Sequence, residues 1–298
     1  IFADSEQSEN PNEPNNPNEP EVPEPQYETN SLLNLTPTTL QLQNTESENS
    51  DTNPYLINNA DDLRTLAYYV NTKFAEDDAE NLALQQQYTC GHFVLTNHID
   101  ISKWTQWEPI GTEENPFVGT FSGNGYSIYG LTIIDTVENA ATSDYAGLFG
   151  VISYVAVDDV IYKPVIERLG LKDTVIKTNR DYAGAIVGAA YGNEEIITPT
   201  YQTKQEEVTI GENVTANRTY SNAQAAVVIQ DCYNTGYVEG GNYVGGLAGA
   251  VYYGAVIYNS YNAPSTTNAY NTEFDVYSSN ENASGVGGIV GYVEMAVN

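Results

Sequence analysis

The sequence is short of positive charge and of long apolar runs. Its 298 residues include 10 Lys and Arg against 40 Asp and Glu, which gives a net charge of −30. Nucleic acids and anionic lipids bind proteins through Lys and Arg that displace counterions, so the composition argues against both ligands. No stretch approaches the ~20 apolar residues that a membrane-spanning helix needs. We therefore expect no nucleic-acid partner and no membrane insertion.

Cysteine is equally scarce, with Cys90 and Cys232 alone. Secreted scaffolds held by disulfides usually carry more, so a disulfide framework is not predicted, although the sequence leaves open whether these two pair. Cys232 stands where Ser260 stands in the next repeat, which predicts a small side chain facing the core.

The residues that most enzyme sites require are also missing. A zinc protease would need His-Glu-x-x-His, but the chain has only His92 and His98. No Gly-x-Ser-x-Gly elbow occurs, and adjacent acids such as Asp77-Asp78 point to opposite faces of a strand. We predict a non-enzymatic protein with no catalytic, cofactor or metal residues. The one ion that the acidic composition admits is a structural or adventitious Ca²⁺.

Tyrosine and glycine are abundant, and the glycines recur in a pattern. The 24 Tyr, with many Thr, Val and Ile, suit pleated strands and predict a mostly β protein. Four similar blocks have last glycines 38, 61 and 42 residues apart, a period typical of stacked repeats. The blocks are Tyr145-Ala-Gly-Leu-Phe-Gly150, Tyr182-Ala-Gly-Ala-Ile-Val-Gly188, Tyr243-Val-Gly-Gly-Leu-Ala-Gly249 and Val286-Gly-Gly-Ile-Val-Gly291.

Glycine inside a strand is unfavourable by ~0.5–1 kcal/mol relative to Ala, so its repetition predicts a steric need where backbones pack without room for Cβ. The predicted structural glycines are Gly147, Gly150, Gly184, Gly188, Gly245, Gly249, Gly287 and Gly291.

A second element, Ile-x-(Asp/Asn)-x-Tyr, follows the blocks at 16, 41 and 8 residues, which predicts loops of free length between the repeats. On one strand face its copies would form ladders of like residues. The ladder pairs are Ile229 with Ile257, Asp231 with Asn259, and Tyr233 with Tyr261. In the first copy Arg168 replaces the Asn or Asp.

Composition divides the chain into three parts. Residues 1–53 hold 11 acids, no Lys or Arg and seven of 13 prolines, some at period three, which predicts a disordered, extended spacer. Residues 54–135 predict an α+β unit, whose helix near 59–73 starts after Asn59 and caps the repeats. The stretch 75–87 predicts either a second, frayed helix or an insertion. Residues 136–298 are the repeats.

The glycine blocks resemble the GLUG repeats of bacterial surface proteins, including adhesins and accessory regions of immunoglobulin-A-cleaving metallopeptidases. The segment Trp107-Glu-Pro-Ile-Gly111 and the run from Phe117 to Gly125 resemble what commonly precedes those repeats. The resemblance covers about 80 percent of the chain. It implies a right-handed, β-helix-like solenoid, secretion and attachment to a cell envelope.

These observations predict a secreted or cell-surface module for adhesion or for host or glycan interaction, with a host protein, matrix protein or glycan as partner. The alternatives are a spacer that displays other domains and a β-helix carbohydrate-active enzyme. We expect a monomer, and a natural chain that continues past Asn298 or frays there. Exposed aromatic residues are the predicted ligand contacts: Tyr252, Tyr253, Tyr258, Tyr261 and Tyr270.

Overall fold

The structure is a computed structural model. It describes residues 37–45, 47–104, 106–136, 143–157, 159–193, 200–209, 215–263 and 276–294, with the backbone alone over 200–209 and 215–224. The described residues form 26 strands and two helices, so the predicted mostly β class is confirmed. The period-three prolines of the predicted spacer lie outside the described residues.

The N-terminal part contains both helices. Its elements are β1 (Gln41–Leu42), β2 (Tyr55–Ile57), α1 (Ala60–Asn71), α2 (Ala79–Thr89), β3 (His92–Leu95), β4 (Ile99–Asp100), β5 (Thr120–Ser122), β6 (Ser127–Tyr129) and β7 (Thr132–Ile134). The Asn59 side chain accepts a hydrogen bond from the Asp62 backbone N–H at 3.0 Å, which starts α1 where the sequence predicts it. Leu63, Leu66 and Val70 are fully buried beneath this helix.

The second helix begins later than predicted. Asp78 caps α2 by accepting from the Asn81 backbone N–H, so the chain from residue 75 to 78 is not helical. Only Tyr88 of this helix is buried, and its hydroxyl lies 3.4 Å from the Leu40 backbone nitrogen.

The predicted spacer boundary at residue 53 is wrong. Leu40 is 4% exposed within the main hydrophobic core, and β1 pairs antiparallel with β2. The Asn53 side chain donates to the backbone carbonyl oxygens of Asn44, Ser47 and Glu48. The spacer was predicted from the acidic composition of residues 1–53, in which a few apolar and turn-forming residues carry little weight. The folded part includes described residues from 37 onward.

The repeats form four coils, each named by its strands. Coil 1 contains β8 (Tyr145–Ala146), β9 (Phe149–Ser153), β12 (Val165–Glu167) and β13 (Gly170–Lys177). Coil 2 contains β14 (Tyr182–Gly184), β15 (Val187–Tyr191), β18 (Val227–Gln230) and β19 (Tyr233–Gly240). Coil 3 contains β20 (Tyr243–Gly245), β21 (Ala248–Tyr252), β22 (Ala255–Tyr258), β23 (Tyr261–Ala263) and β24 (Val276–Ser278), and coil 4 contains β25 (Gly285–Gly287) and β26 (Val290–Glu294).

Two hairpins leave these coils between their second and third strands. Coil 1 inserts β10 (Val155–Val157) and β11 (Val160–Tyr162), and coil 2 inserts β16 (Thr200–Thr209) and β17 (Thr215–Gln224). Each hairpin pairs antiparallel within itself. The variable distances from glycine block to second element therefore come from insertions at one point of the coil, as predicted.

Equivalent strands of successive coils pair in parallel. Sheet 1 has the order β1-β2-β3-β5-β12-β18-β22, and sheet 2 has the order β23-β19-β13-β6-β4, with β24 on β19 and β7 on β13. Sheet 3 is β25-β20-β14-β8 and sheet 4 is β26-β21-β15-β9. Tyr182 lies opposite both Tyr145 and Tyr243, so the glycine blocks stack coil upon coil, as the sequence predicts.

The second element occupies a corner rather than one strand face, which corrects the predicted arrangement. Ile229 lies in sheet 1 and Tyr233 in sheet 2, with Asp231 between them at φ 53°. The equivalent corners of coils 1 and 3 are formed by Arg168 and Asn259, with φ of 50° and 46°. Asn124, with φ of 51°, lies in the longer turn between β5 and β6. Like residues still stack between coils, since the Tyr233 and Tyr261 ring centroids are 5.2 Å apart. The Asn or Asp is therefore explained by its tolerance of the left-handed backbone conformation.

Candidate functional site

The structural glycines lie where sheets 3 and 4 approach each other. A Cβ atom at Gly188 would lie 2.8 Å from the Gly150 carbonyl oxygen and 2.9 Å from the Tyr145 Cβ. At Gly249 it would lie 2.6 Å from the Gly188 carbonyl oxygen. Real Cβ atoms do not approach so closely, so these positions hold glycine because the backbones of neighbouring coils touch there.

Columns of tyrosine rings flank this glycine seam. Tyr145 stacks on Tyr182 at 4.9 Å and Tyr182 on Tyr243 at 5.1 Å between ring centroids. Tyr191 stacks on Tyr252 at 4.7 Å, and the Tyr145 and Tyr191 hydroxyls are 3.3 Å apart. Desolvation raises the pKa of the Tyr191 and Tyr252 phenols, which stay protonated in this packed layer. These columns hold the coils together.

The predicted tyrosine contacts are not brought to one surface. Tyr252 is 9% exposed and packed against Tyr191, whereas Tyr261 is 53% exposed at the start of β23. Tyr253 and Tyr258 are partly buried at the ends of β21 and β22. Tyr270 lies outside the described residues. Of the four that the structure describes, Tyr261 has the exposure that a ligand contact needs.

A groove of about 430 Å³ with both polar and apolar lining crosses the outer face of sheet 1, and we call it the polar groove after the hydrogen-bonded side chains in it. Alternation along the strands contributes to it, because the side chains of Phe93, Phe121 and Ile166 are buried in the core while their neighbours point out. The polar residues that line the groove are Asp51, His92, Thr120, Ser122, Lys163, Glu167, Arg168 and Gln230, and the apolar ones are Pro54, Phe93, Val94, Phe121, Val165, Ala225 and Val228. They come from the loop before β2, from β3 and β5, and from coils 1 and 2.

A chain of hydrogen bonds links three strands across the floor of this polar groove. Arg168 donates from Nη2 to Ser122 Oγ at 3.0 Å and from Nε to Glu167 Oε1 at 3.1 Å. Gln230 donates from Nε2 to Glu167 Oε2 at 3.0 Å. Both carboxylate oxygens of Glu167 are thus engaged, and its charge is balanced by Arg168.

Gln230 keeps an unused acceptor in the groove. Its side-chain orientation is fixed, because a carboxylate oxygen of Glu167 accepts and must face the amide nitrogen. Gln230 is 7% exposed, and its Oε1 has no hydrogen-bond partner among the described residues. A buried acceptor left in this state costs about 1–3 kcal/mol, which a ligand donor would offset.

His92 lies at one end of the polar groove. Its Nδ1 is 2.6 Å from Asp51 Oδ1 and 2.9 Å from Thr120 Oγ1. A catalytic triad needs the acid and the hydroxyl on opposite ring nitrogens, whereas here both meet the same one. This cluster is therefore not arranged as a proton relay.

A second depression is apolar. It measures about 540 Å³ and lies between α2 and the β10–β11 hairpin, lined by Leu82, Val118, Val155 and Val160 among others. The hairpin side chains Val157, Val160 and Ile161 are about half exposed. Cys90 lines this cleft as a free thiol, and Cys232 is a second free thiol, 1% exposed as predicted for a core residue.

The described part of the chain contains no group of three or more His, Cys, Asp or Glu side chains that could hold a metal. Neither α1 nor α2 has the length and apolar character to cross a bilayer. His98 is exposed before β4, where its Nδ1 accepts from the Ser127 backbone N–H at 3.0 Å.

The polar groove was not predicted from the sequence, since its residues are spread from position 51 to 230 without a motif. The one available signal was Arg168, which departs from the Asn or Asp of the other corners.

Comparison with known proteins gives limited similarity. No protein-family model matches the sequence. Over 151 residues, 49% of the chain, it is 31% identical to a "Putative Gly-rich membrane protein" of Evansella cellulosilytica, and the match covers 14% of that protein. In structure it is similar to a "putative immunoglobulin A1 protease from Bacteroides ovatus" at a TM-score of 0.45 and 17% identity, covering 82% of this chain and 63% of that one. The chain thus spans about one seventh of the first relative and under two thirds of the second.

Proposed function

We propose that this chain is a non-enzymatic binding module of the bacterial cell surface or of a secreted protein, acting in adhesion or in host or glycan interaction. The observation that carries the proposal is the polar groove on the outer face of sheet 1. Residues from two successive coils and from the N-terminal part converge in it. Concave sites with a few placed polar groups are where proteins bind small ligands.

The scaffold supports this function. Four coils stack in parallel register, and we propose that they form a right-handed β-solenoid of GLUG-type repeats, capped at one end by α1 and α2. Parallel strands in one sheet are joined by right-handed crossovers in about 98% of cases. Stacked repeats create extended surfaces for binding, because each coil contributes side chains at a fixed spacing.

Surface location is supported by the relative. The matched protein of Evansella cellulosilytica is named as a membrane protein, and 49% of this chain aligns with it. The net charge of −30 keeps an exposed module soluble and separate from anionic lipid.

The groove also contains two carboxylates, the feature that would favour a carbohydrate-active enzyme. Glu167 has both oxygens bound by Arg168 and Gln230, which leaves neither free for proton transfer. The Asp51 side chain is 82% exposed at the rim and contacts His92. We therefore propose binding without bond cleavage.

An array of glycans and matrix proteins, probed with the full chain, tests the function. Binding to a defined subset of glycans or proteins, with no release of reducing ends from the bound glycans, is the expected result. Silence across the array would reject the binding function and favour the alternative, a structural spacer that displays other domains. Release of reducing ends or unsaturated products would reject the non-enzymatic assignment.

A further inference from the structure

The ligand class of the polar groove follows from the groups that line it. We propose that the groove binds an oligosaccharide that carries a carboxylate, with Arg168 as the residue that contacts the carboxylate and Gln230 as the acceptor for a neighbouring hydroxyl. This inference rests on the proposed binding function and specifies its ligand.

The distribution of charge is the first argument. The whole chain has 10 Lys and Arg, and two of them, Lys163 and Arg168, line this one groove. Its lining also includes the acids Asp51 and Glu167, so the groove is formally neutral at pH 7. On a chain with a net charge of −30, an anionic group of a ligand therefore meets less repulsion in this groove than at the acidic surface around it.

The geometry of Arg168 is the second argument. Its Nε and Nη2 are engaged by Glu167 and Ser122, and its Nη1 has no acceptor among the described residues. The side chain is 51% exposed, so this edge of the guanidinium is open to a ligand. A planar guanidinium held on one side offers fixed donors for a carboxylate.

The backbone at Arg168 is the third argument. Its φ is 50°, and the equivalent corners of coils 2 and 3 use Asp231 and Asn259, residue types that tolerate the left-handed conformation. Backbone preference alone would select Asn or Asp at position 168 too. Arg168 is therefore explained by what its side chain reaches, which is the floor of the polar groove.

The unused acceptor is the fourth argument, and it separates a sugar acid from a simple anion. Gln230 Oε1 is buried without a partner among the described residues, and it needs a donor. At neutral pH carboxylate and sulfate groups by themselves are acceptors without a donor, whereas a sugar acid offers a carboxylate and hydroxyl donors together. Uronates and sialates both have this chemistry.

Titration calorimetry with the full chain distinguishes uronates from sialates as the ligand. The probes are trigalacturonate with its methyl ester as the neutral match, and sialyllactose with lactose as the neutral match. Salt of about 0.15 M limits the Debye length to about 8 Å, which screens the acids outside the groove. We expect one of the two acidic probes to bind and its neutral match to bind roughly 10- to 100-fold more weakly.

The variant Arg168→Asn locates the site. Asn is the residue at the equivalent corner of coil 3, Asn259, so the variant is expected to fold with an unchanged far-UV spectrum and cooperative melting. Its affinity for the acidic probe should fall roughly 10- to 100-fold. Lys103→Asn is the control, because it removes the same charge from an exposed turn outside the groove and should leave the affinity unchanged.

The other outcomes are decisive. Equal binding of acidic and neutral probes, or equal affinity of Arg168→Asn and the wild type, would overturn this inference. Binding of neutral glycans on the array with no binding of either acidic probe would overturn it while the proposed function stands. No binding on the array and no binding of any of the four probes would reject both the proposed binding function and this inference.

Discussion

The inner strands of the stack and its outermost strands contain similar residues in different environments. Leu247 of coil 3 is fully buried, whereas Ile289, which follows the same glycine pair in coil 4, is partly exposed. In sheet 1, Ile229 is 1% exposed and its partner Ile257 in the outermost strand is partly exposed. At the N-terminal end α1, α2 and β1 cover the core. A repeat thus owes its burial to the coil next to it, which its own sequence does not contain.

The largest difference in stability between variants of coil 3 and coil 4 is expected at their glycine pairs. A Cβ at Gly246 would overlap the Gly288 carbonyl oxygen and the Asn262 side chain, whereas a Cβ at Gly288 meets nothing within 4 Å. Gly246→Ala should destabilise by about 3 kcal/mol or more, and Gly288→Ala should change stability by at most about 0.5 kcal/mol. Urea unfolding of both variants measures this, and equal losses would show that the end coil is covered in solution.

The apolar core gives the next largest effect. Leu247→Ala removes a side chain with no exposed surface and should cost about 3 kcal/mol, within the usual range of about 2–5 kcal/mol. Ile289→Ala removes a partly exposed side chain and should cost about half as much or less. Thermal and urea unfolding compare the pair. A larger loss for Ile289→Ala would contradict the open arrangement of coil 4.

Alkaline pH tests the covered N-terminal end of the stack. Desolvation by burial in the core raises the pKa of Tyr88, a residue of α2, to about 12 from an ordinary value of 10.0. The folded state holds the proton more tightly, so this contribution is complete below about pH 10 and is lost as pH rises towards about 12, by at most about 2–3 kcal/mol. Tyr88→Phe should lose less stability than the wild type between these pH values in urea titrations. An identical pH dependence in both proteins would assign the loss to other groups.

Substitutions at the turn residues with positive φ are expected to have the smallest effect on stability. They also serve as a control, because their cost should not depend on the position in the stack. Asn124 and Asn259, near opposite ends of the stack, have φ of 51° and 46°. Replacement of either by Ala should cost about 1 kcal/mol because of the left-handed backbone, and replacement by Gly should be nearly neutral. Since this strain is local, the cost should be similar at both ends. A strong difference between the two Ala variants would mean that coil stacking, and not local strain, sets the corner residue.

Some of the fold was accessible from sequence because its causes are local or periodic. The Asn59 cap and the apolar spacing of Leu63, Leu66 and Val70 predicted α1, and recurring glycines predicted which segments stack. The break between β3 and β4 was not accessible from sequence, because alternation of apolar residues does not reveal a turn. The buried Leu40 was missed because its partner Tyr88 is 48 residues away.

The candidate site was the least predictable part. Exposed tyrosine seemed the best contact, yet ring stacking between coils takes up Tyr252 and leaves Tyr261 at the surface. Ser122, Arg168 and Gln230 meet only because β5, β12 and β18 are neighbours in sheet 1, and no local pattern encodes that adjacency.

From the amino-acid sequence alone came the acidic charge, the mostly β class, the stacking of the glycine blocks and the variable length of the segments between conserved elements. These properties depend on composition, on periodicity and on the missing Cβ of glycine, all of which can be read along the chain. The order of strands in the sheets, the burial of each repeated residue and the polar groove were decided by tertiary structure. Each of them depends on which coil lies beside which, and that is a relation between residues far apart in sequence.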